Sequence, residues 1–394
     1  MSAPTVLIAA WARSAVVPHG GAFAALHAHD IAAPVVQALL TRAGTRPQTV
    51  DAVLVGNALG AGGNPARMVA LAAGLSERSA ALSVDTQCCS GLDAVSMGAA
   101  LIASGQAHVV VAGGVEAWSR SPLRFIRPIH PDEAPVPYER PPFAPDPAHD
   151  PDLLLSAARY AAQHSDTRAQ QDAYAVLSHQ RAVAHKAELA HQIVAVAGVR
   201  HDLYPRAIDI SRAARMPIAA QTDALDALTL AGVAQDCSIS RLGISAKADG
   251  AAFVVLVSAQ ACDKLGLRPT TAAWVSSASV GSTPDTPLLA AQHAALEALQ
   301  RAGTPSCEAL SAVELHDAFA VQGLSFCRAL GLDPQRINPR GGGLARGHPI
   351  GASGAIALVQ LLANLALDAP AGGQGLVAVA GAGGIGAAAV VERL

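Results

Sequence analysis

Two stretches of this sequence follow one plan. SGLDAVSMGAALIASGQAHVVVAGGVE, residues 90–116, reads as a glycine-started helix, then a β-branched strand, then a glycine turn. GASGAIALVQLLANLALDAPAGGQGLVAVAGAGGIG, residues 351–386, repeats that plan. The separation is far too long for a solenoid. It predicts two similar halves facing each other, with two helix N-termini close together and a site at the pseudo-symmetric centre. Around each copy the pattern is α/β. Residues 5–10, 51–55, 81–85 and 108–112 are short β-branched or apolar runs between alanine-rich helical stretches such as DIAAPVVQALLTRAG. This alternation predicts a sheet buried on both faces. Strand-like runs return at 251–259 and 271–281. Residues 121–151, SPLRFIRPIHPDEAPVPYERPPFAPDPAHDP, hold ten prolines and neither period, which predicts an irregular surface excursion. A polar helical stretch, DTRAQQDAYAVLSHQRAVAHKAELAHQ, follows it.

Composition excludes several classes. With 394 residues a sizeable core is available, and 51% hydrophobic with 14% charged residues is globular, not disordered. A net charge of −3 without a basic block points away from nucleic acid and anionic membrane. VLIAA near the N-terminus reads as a first strand, not a signal peptide, and no apolar run looks long and glycine-free enough to span a bilayer. Six cysteines with no CxxC suggest neither a disulfide framework nor a zinc site and predict a reducing cytoplasm. The 14 histidines lack the paired helical spacing of a metal motif, so no metal is expected.

Four stretches carry chemistry. In VDTQCCSGLDAV, residues 84–95, Cys88 and Cys89 lie on a turn between a strand and a helix. A cysteine there meets the positive end of the helix dipole, which favours thiolate, and Ser90 and Gly91 let a substrate approach. The competing reading is a buried structural cysteine. In GGGLARGHPIGASG, residues 341–354, His348 stands in a glycine-flanked turn fixed by Pro349 and is the kind of base a thiol nucleophile needs. It is otherwise a histidine in a tight turn. HDAF, residues 316–319, puts His316 and Asp317 at a strand end, where α/β sites collect, or makes Asp317 a helix cap. GLVAVAGAGGIG, residues 375–386, contains a literal GxGxxG. A dinucleotide fingerprint needs a following strand and an acidic residue about 20 positions on, and the sequence reaches Leu394 without them. Those glycines read instead as backbone amides facing a ligand, as in an oxyanion hole.

Together these stretches resemble the thiolase family, nearly end to end. QCCSG, HDAF, GGGLARGHPIGASG and AGAGGIG stand where thiolases carry QCSSG-like, NEAF or HEAF, GGG…GHPxGASG and CxGGGxG motifs, with weaker matches in ARSAV, GGVEAWSR and GISAKADGAA. The resemblance implies a five-layer αβαβα fold built from two similar halves. It places an N-terminal half at 1–120 with a return strand near 251–270, a loop domain at 121–250 and a C-terminal half at 271–394. It implies that Cys88 is acylated, that His348 activates it and that His316 polarises the second thioester. Backbone amides of Cys88 and Ala382 would hold the oxyanion, and Ser245, Ala318 and Phe319 would lie near the pantetheine. Acyl-CoA thioesters would be substrates, with no cofactor, and a homodimer or homotetramer is implied.

The pattern departs from the family in two places. The second catalytic cysteine, which moves the α-proton, aligns with Ala380, and the alternative place for it in HDCF-type thiolases is Ala318. Cys89 and Cys327 map to no position with this role. A missing general acid/base costs about 10²–10⁴ in rate unless His316 or His348 substitutes. A His-Met-Gly-x-Thr-Ala-Glu-like stretch that contacts coenzyme A is matched in DLLLSAARYA only by Ser156 and Ala157. The sequence thus predicts a thiolase-type acyltransferase that makes or cleaves a carbon–carbon bond in 3-ketoacyl-CoA. The alternatives are a decarboxylative condensing or acyl-transferring enzyme using Cys88, His316 and His348, and a catalytically weak structural subunit.

Overall fold

The computed structural model describes residues 6–60, 62–222, 235–267, 272–304 and 306–394. Thr5 and Thr271, which open two of the expected strands, lie outside the described residues. The first half runs β1 (Val6–Ser14), α1 (Ala28–Ala43), β2 (Ala52–Gly56), α2 (Pro65–Ala72), β3 (Ala80–Val84), α3 (Ser90–Ala103) and β4 (Val109–Ala117). The proline-rich excursion then forms a short hairpin, Arg124–Ile126 with Val136–Tyr138, and a 3₁₀ turn, Pro147–His149, before α4 (Leu153–Gln163) and α5 (Arg168–Ala184). Thr167 and Gln170 close a reciprocal capping box at the start of α5. The chain continues with β5 (Ala248–Ser258), β6 (Ala272–Gly281), α6 (Ala290–Ala302), β7 (Ala312–His316), α7 (Ala320–Leu330), α8 (Ser353–Asp368), β8 (Gln374–Gly381) and β9 (Ile385–Arg393).

The strand order is β7-β8-β9-β6-β1-β5-β4-β2-β3. β2, β4, β5 and β1 are paired parallel, antiparallel, antiparallel. β7, β8, β9 and β6 repeat that pattern in the same order. The doubling in the sequence is therefore a doubling of topology. Among the described residues the two halves of the sheet join where Leu7 and Ile8 of β1 face Ala273 and Ala272 of β6.

Of four apolar clusters among the described residues, one packs α4 against Ile239, Leu288 and Val321, and the other three separate the layers. The middle one packs α3 against α8 between the two sheets, through Leu92, Val95, Ala355 and Val359. The others lie outside, one under α1 and α2 and one under α6 and α7. α8 has no wet face in its first three turns, because a sheet or helix covers every side. Leu358, Leu361 and Leu362 are each 0% exposed, and burying each stabilises by about 1.5–3 kcal/mol. The helical stretch Ile350–Asp368, 19 residues with mean hydropathy 1.8, meets the length and apolarity of a membrane span, contrary to the sequence expectation. Gly351 and Gly354 fall in its first turn and do not break it. It lies 83% buried inside the protein. A second correction concerns β3, which is an edge strand. Its residues are mostly exposed, not buried on both faces, because nothing among the described residues pairs beyond it.

Candidate active site

Cys88 sits where β3 hands over to α3. Gln87 adopts φ 53°, an uncommon conformation for a residue with a side chain. Local bonds hold this turn. Thr86 N donates to Ser90 Oγ (2.9 Å), and that hydroxyl donates to Gln87 O (2.5 Å). Asp93, one turn into α3, accepts from Thr86 Oγ1 (2.5 Å) and from Ser279 Oγ of β6, which ties the turn to the other half. The two cysteines diverge. Cys89 is 1% exposed and its Sγ lies 3.6 Å from Val379 O and 3.7 Å from Ile385 O, in the middle core. Cys88 is half-buried and opens into a cavity.

The two halves meet here through glycine. A Cβ on Gly114 would stand 2.1 Å from Gly351 O, and one on Gly91 would stand 2.8 Å from the same oxygen. Only bare backbone lets α3 and the turn before α8 approach so closely. Glu116 then clamps the contact. It is 1% exposed and accepts from Asn57 Nδ2 (2.9 Å), Ala58 N (3.0 Å), Leu59 N (3.3 Å) and Gly351 N (3.0 Å). Burial still lifts its carboxyl from 4.5 to about 7, against those amides.

His348 lies between Gly347, at φ 111°, and Pro349, and its N–H donates to Ala246 O (2.7 Å). Its Nε2 stands 3.1 Å from Cys88 Sγ. Its Nδ1 contacts Ser353 Oγ (2.8 Å) and His316 Nε2 (2.6 Å). His316 ends β7 and is 3% exposed. Asp317 is no helix cap. It is 0% exposed and accepts from Tyr174 OH (2.9 Å), Asn338 Nδ2 (3.1 Å) and Leu344 N (3.2 Å). Burial raises it to about 6. The triple glycine fits over this pair. A Cβ on Gly342 would meet Asp317 Oδ1 at 2.4 Å, and one on Gly343 would meet the His316 ring at 2.7 Å.

The dipole argument for a resting thiolate does not hold. Burial pushes the Cys88 thiol up to about 12, although the backbone amides of Ala382 and of Cys88 itself favour the thiolate. Burial likewise lowers His348 to about 4. The resting pair is thus a neutral thiol and a neutral imidazole, which can exchange a proton at 3.1 Å once a substrate supplies compensating charge.

The cavity is about 740 Å³. Cys88, His348 and Ala382 form its floor, with Leu123, Phe125, Phe143 and Leu153 on the walls. Cations stand around it. Lys247 pairs with Glu139 (3.2 Å) and lies 4.9 Å over the Trp118 ring, Arg140 pairs with Asp150, and Arg124 donates to Ala58 O (3.2 Å). Ser245, Ala318 and Phe319 are not among the lining residues. Ser245 N donates to Ala318 O (2.9 Å), and its hydroxyl donates to Gly343 O (2.6 Å), so it braces the glycine loop. Ser156 is also spent, donating to Asp285 O (2.6 Å). Ala380 is 8% exposed and packs into the outer core of the second half. Sequence reasoning missed Glu116, Asp93 and Ser353. An acid inside the apolar strand VVVAGGVEA is the one signal that points to Glu116. Among the described residues no group of three His, Cys, Asp or Glu could hold a metal ion.

Comparison with known proteins agrees with this architecture. Residues 6–260 match the family described as "Thiolase, N-terminal domain", and residues 268–393 match "Thiolase, C-terminal domain". The chain is 33% identical to an acetyl-CoA acetyltransferase of Chromobacterium violaceum, over 98% of this chain and 99% of that one. It is 35% identical to a putative acetyl-CoA C-acetyltransferase of Bacillus subtilis, over 93% of each. Among solved structures, the Acat5 thiolase of Ascaris suum in complex with coenzyme A superposes with a TM-score of 0.87 at 27% identity, covering 99% of this chain and 100% of that one. An acetyl-CoA acetyltransferase of Bacillus anthracis gives the same score at 28% identity, covering both chains fully. Doubled topology, glycine-to-glycine contact and a cysteine–histidine pair at the junction thus come with matches to both thiolase domains, and the chain belongs to the thiolase family.

Proposed function

We propose that this protein is an acyl-CoA acyltransferase that makes or cleaves the carbon–carbon bond of a 3-ketoacyl-CoA through an acyl-Cys88 intermediate. The observation that carries this reading is Cys88 Sγ at 3.1 Å from His348 Nε2 on the floor of an open cavity. His348 takes the thiol proton as Sγ attacks the thioester carbonyl, and the departing coenzyme A thiolate receives a proton. The amides of Cys88 and Ala382 favour negative charge at the sulfur, which suits them to hold the oxygen that becomes charged in the acyl transfer. Arg124 and Lys247 suit the phosphates of coenzyme A, and the apolar wall suits its pantetheine arm. Similar proteins carry the name acetyl-CoA acetyltransferase, which makes acetyl-CoA the first substrate to offer. Ala380 favours a second reading, a decarboxylative condensation in which loss of CO₂ generates the carbanion. The intact cysteine–histidine pair argues against a purely structural subunit. A homodimer in a reducing cytoplasm is part of the proposal. All six cysteines are unpaired, and the edge strand β3 exposes Leu82 beside Met68, Leu71 and Met97.

The test is to incubate the protein with acetyl-CoA and map the adduct by peptide mass spectrometry. Acetylation should fall on Cys88, vanish in Cys88→Ala and persist in Cys89→Ser. An adduct on Cys89 that survives Cys88→Ala would overturn the assignment. Parallel incubations with acetyl-CoA, malonyl-CoA and acetoacetyl-CoA plus coenzyme A, with products read by mass, decide between the two condensations.

A further inference from the structure

Ser353 fixes where the protons lie. Its Oγ is 2.9 Å from Pro349 O, a pure acceptor, so the hydroxyl proton is spent there. The same oxygen is 2.8 Å from His348 Nδ1 and can only accept, so Nδ1 carries a hydrogen. In a neutral ring Nε2 is then the bare nitrogen, and it is the atom that faces Cys88 Sγ at 3.1 Å. His316 Nε2 stands 2.6 Å from that Nδ1, with the rings 22° apart and their centroids 4.5 Å apart. Two nitrogens come so close only with a proton between them. Nδ1 carries one hydrogen, which it shares between Ser353 Oγ and His316 Nε2, so His316 Nε2 is an acceptor. The three side chains form a directed chain, Cys88 S–H to His348 Nε2, then His348 Nδ1–H to His316 Nε2.

This arrangement changes the part that the family resemblance implies for His316. Its Nε2 points a lone pair at His348, not an N–H at a substrate carbonyl. The other candidates for an acid/base are remote from that role. Ala380 has no proton to move, Cys89 turns into the middle core, and Cys327 lies on the buried face of α7.

We propose that His316, acting through His348, holds the α-proton that a second cysteine moves in other thiolases. The inference rests on the acyltransferase reading above. In the condensing direction His348 Nε2 removes a proton from the α-carbon of the second thioester while Nδ1–H passes to His316 Nε2. The α-carbon attacks the acyl-Cys88 carbonyl and forms the carbon–carbon bond. The acyl carbon–sulfur bond breaks, its electron pair goes to Sγ, and the proton returns from His316 through His348 to Sγ. Cleavage is the reverse, and neither direction needs an oxidant or another reactant. His316 touches no substrate atom, and because burial, then His348 and Arg346, disfavour its charged form, it holds the proton only in passing.

The test separates the two half-reactions. Cys88 acetylation by acetyl-CoA is followed by mass, and exchange of the acetyl α-hydrogens is followed in heavy water. The unmodified protein should do both. Acetylation without any exchange would overturn the relay while leaving the acyltransferase reading intact. Absence of acetylation would overturn that reading itself. His316→Gln offers an oxygen to Nδ1–H but cannot take its proton. It should slow exchange about 10² or more beyond whatever it does to acetylation, so that the ratio of the two rates is the readout. Adding Ala380→Cys to that variant should recover exchange at least tenfold, a rescue that a merely structural role for His316 would not permit. Equal loss of both half-reactions, undiminished exchange or no rescue would each refute the relay. If His316→Gln does not fold, thiolysis of acetoacetyl-CoA by the unmodified protein in H₂O–D₂O mixtures decides. Two protons in flight give a bowed dependence on deuterium fraction, and a linear one would overturn the proposal.

Discussion

Gly343→Ala adds one methyl group where the structure leaves no room for it. The new Cβ would lie 2.7 Å from both Cε1 and Nδ1 of His316, against an ordinary contact that begins at 3.4 Å. Gly343 itself has no positive φ, so space and not backbone freedom is at issue. Something must retreat by about 0.7 Å. The glycine loop cannot, because Ser245 Oγ and the Asp317 carboxylate hold it from two sides. The ring must move, and its 2.6 Å bond to His348 lengthens past 3.2 Å, the outer range of a good hydrogen bond. Overpacking of this kind costs about 1–3 kcal/mol of stability. Misplacing a catalytic group by about 1 Å can cost 10²-fold in rate. Cys88 and His348 are not displaced directly. The expected result is a folded protein with a lower Tm, near-normal single-turnover acetylation of Cys88 and about 10²-fold slower thiolysis of acetoacetyl-CoA. Stopped-flow acylation, steady-state thiolysis and a thermal melt measure the three quantities. A variant with unchanged thiolysis would refute the view that the triple glycine exists to seat His316. Equal damage to acylation would show that the methyl displaces His348 as well.

Three further outcomes follow from the buried groups. With the thiol raised to about 12 and His348 lowered to about 4, the Cys88 thiolate fraction grows with pH throughout the neutral range. Alkylation of Cys88 by iodoacetamide should therefore rise about tenfold per pH unit between pH 6 and 9, and a plateau below pH 7 would show a resting ion pair instead. Glu116→Gln turns an amide NH₂ toward two of the four N–H donors, either Asn57 and Leu59 or Ala58 and Gly351, and should lower stability by about 1–3 kcal/mol in a denaturant melt. The folded-state value of Glu116 is raised, from 4.5 to about 7, so its share of stability is complete below pH 4.5 and fades as pH rises through 7. The gap between wild type and Glu116→Gln should narrow from pH 5 to pH 8, and a widening gap would reverse the sign. Asp93→Ala leaves Thr86 Oγ1 and Ser279 Oγ without an acceptor and should slow Cys88 acylation with little change in the KM for acyl-CoA, read from burst kinetics.

Much of this was legible because the informative residues are small or unusual. Gly91 and Gly351 open the repeated helices, and they are where the two halves touch. The sequence alone could pair QCCSG with GHPIGASG, since a thiol on one turn and an imidazole on another suit each other chemically. Residue type and helix position alone leave Cys88 and Cys89 open, and the family resemblance, with the nucleophile directly after Gln87, picks Cys88. Positive φ at Gln87 sets which side chain faces the cavity, and no residue preference announces it. Electrostatics misled for a related reason. A helix N-terminus is visible in sequence, but the depth at which its cysteine lies is not, and here desolvation outweighs the dipole. The bonds of the Ser245 and Ser156 hydroxyls to carbonyls about a hundred residues or more away along the chain are likewise announced by no local pattern.

The His316 reading shows how far a resemblance can carry chemistry and where geometry has to take over. HDAF and GHP imply two histidines near one thiol, and that much follows from motif spacing within a shared fold. The direction of the hydrogen bond between them depends on Ser353, which appears in the motif only as a small residue five positions after His348. Its hydroxyl spends its proton on Pro349 O, and this choice orders every proton from Cys88 to His316. Ser353→Ala should therefore release the tautomer of His348 without moving its ring. The bare nitrogen would then face Cys88 for only part of the time, and the acylation rate would fall with that fraction. Ser353→Cys, whose sulfur is a weaker acceptor for Nδ1–H, should fall between serine and alanine in single-turnover acylation. Full acylation in Ser353→Ala would mean that the His316 bond alone holds the tautomer, and the proton order argued from Ser353 would lose its foundation.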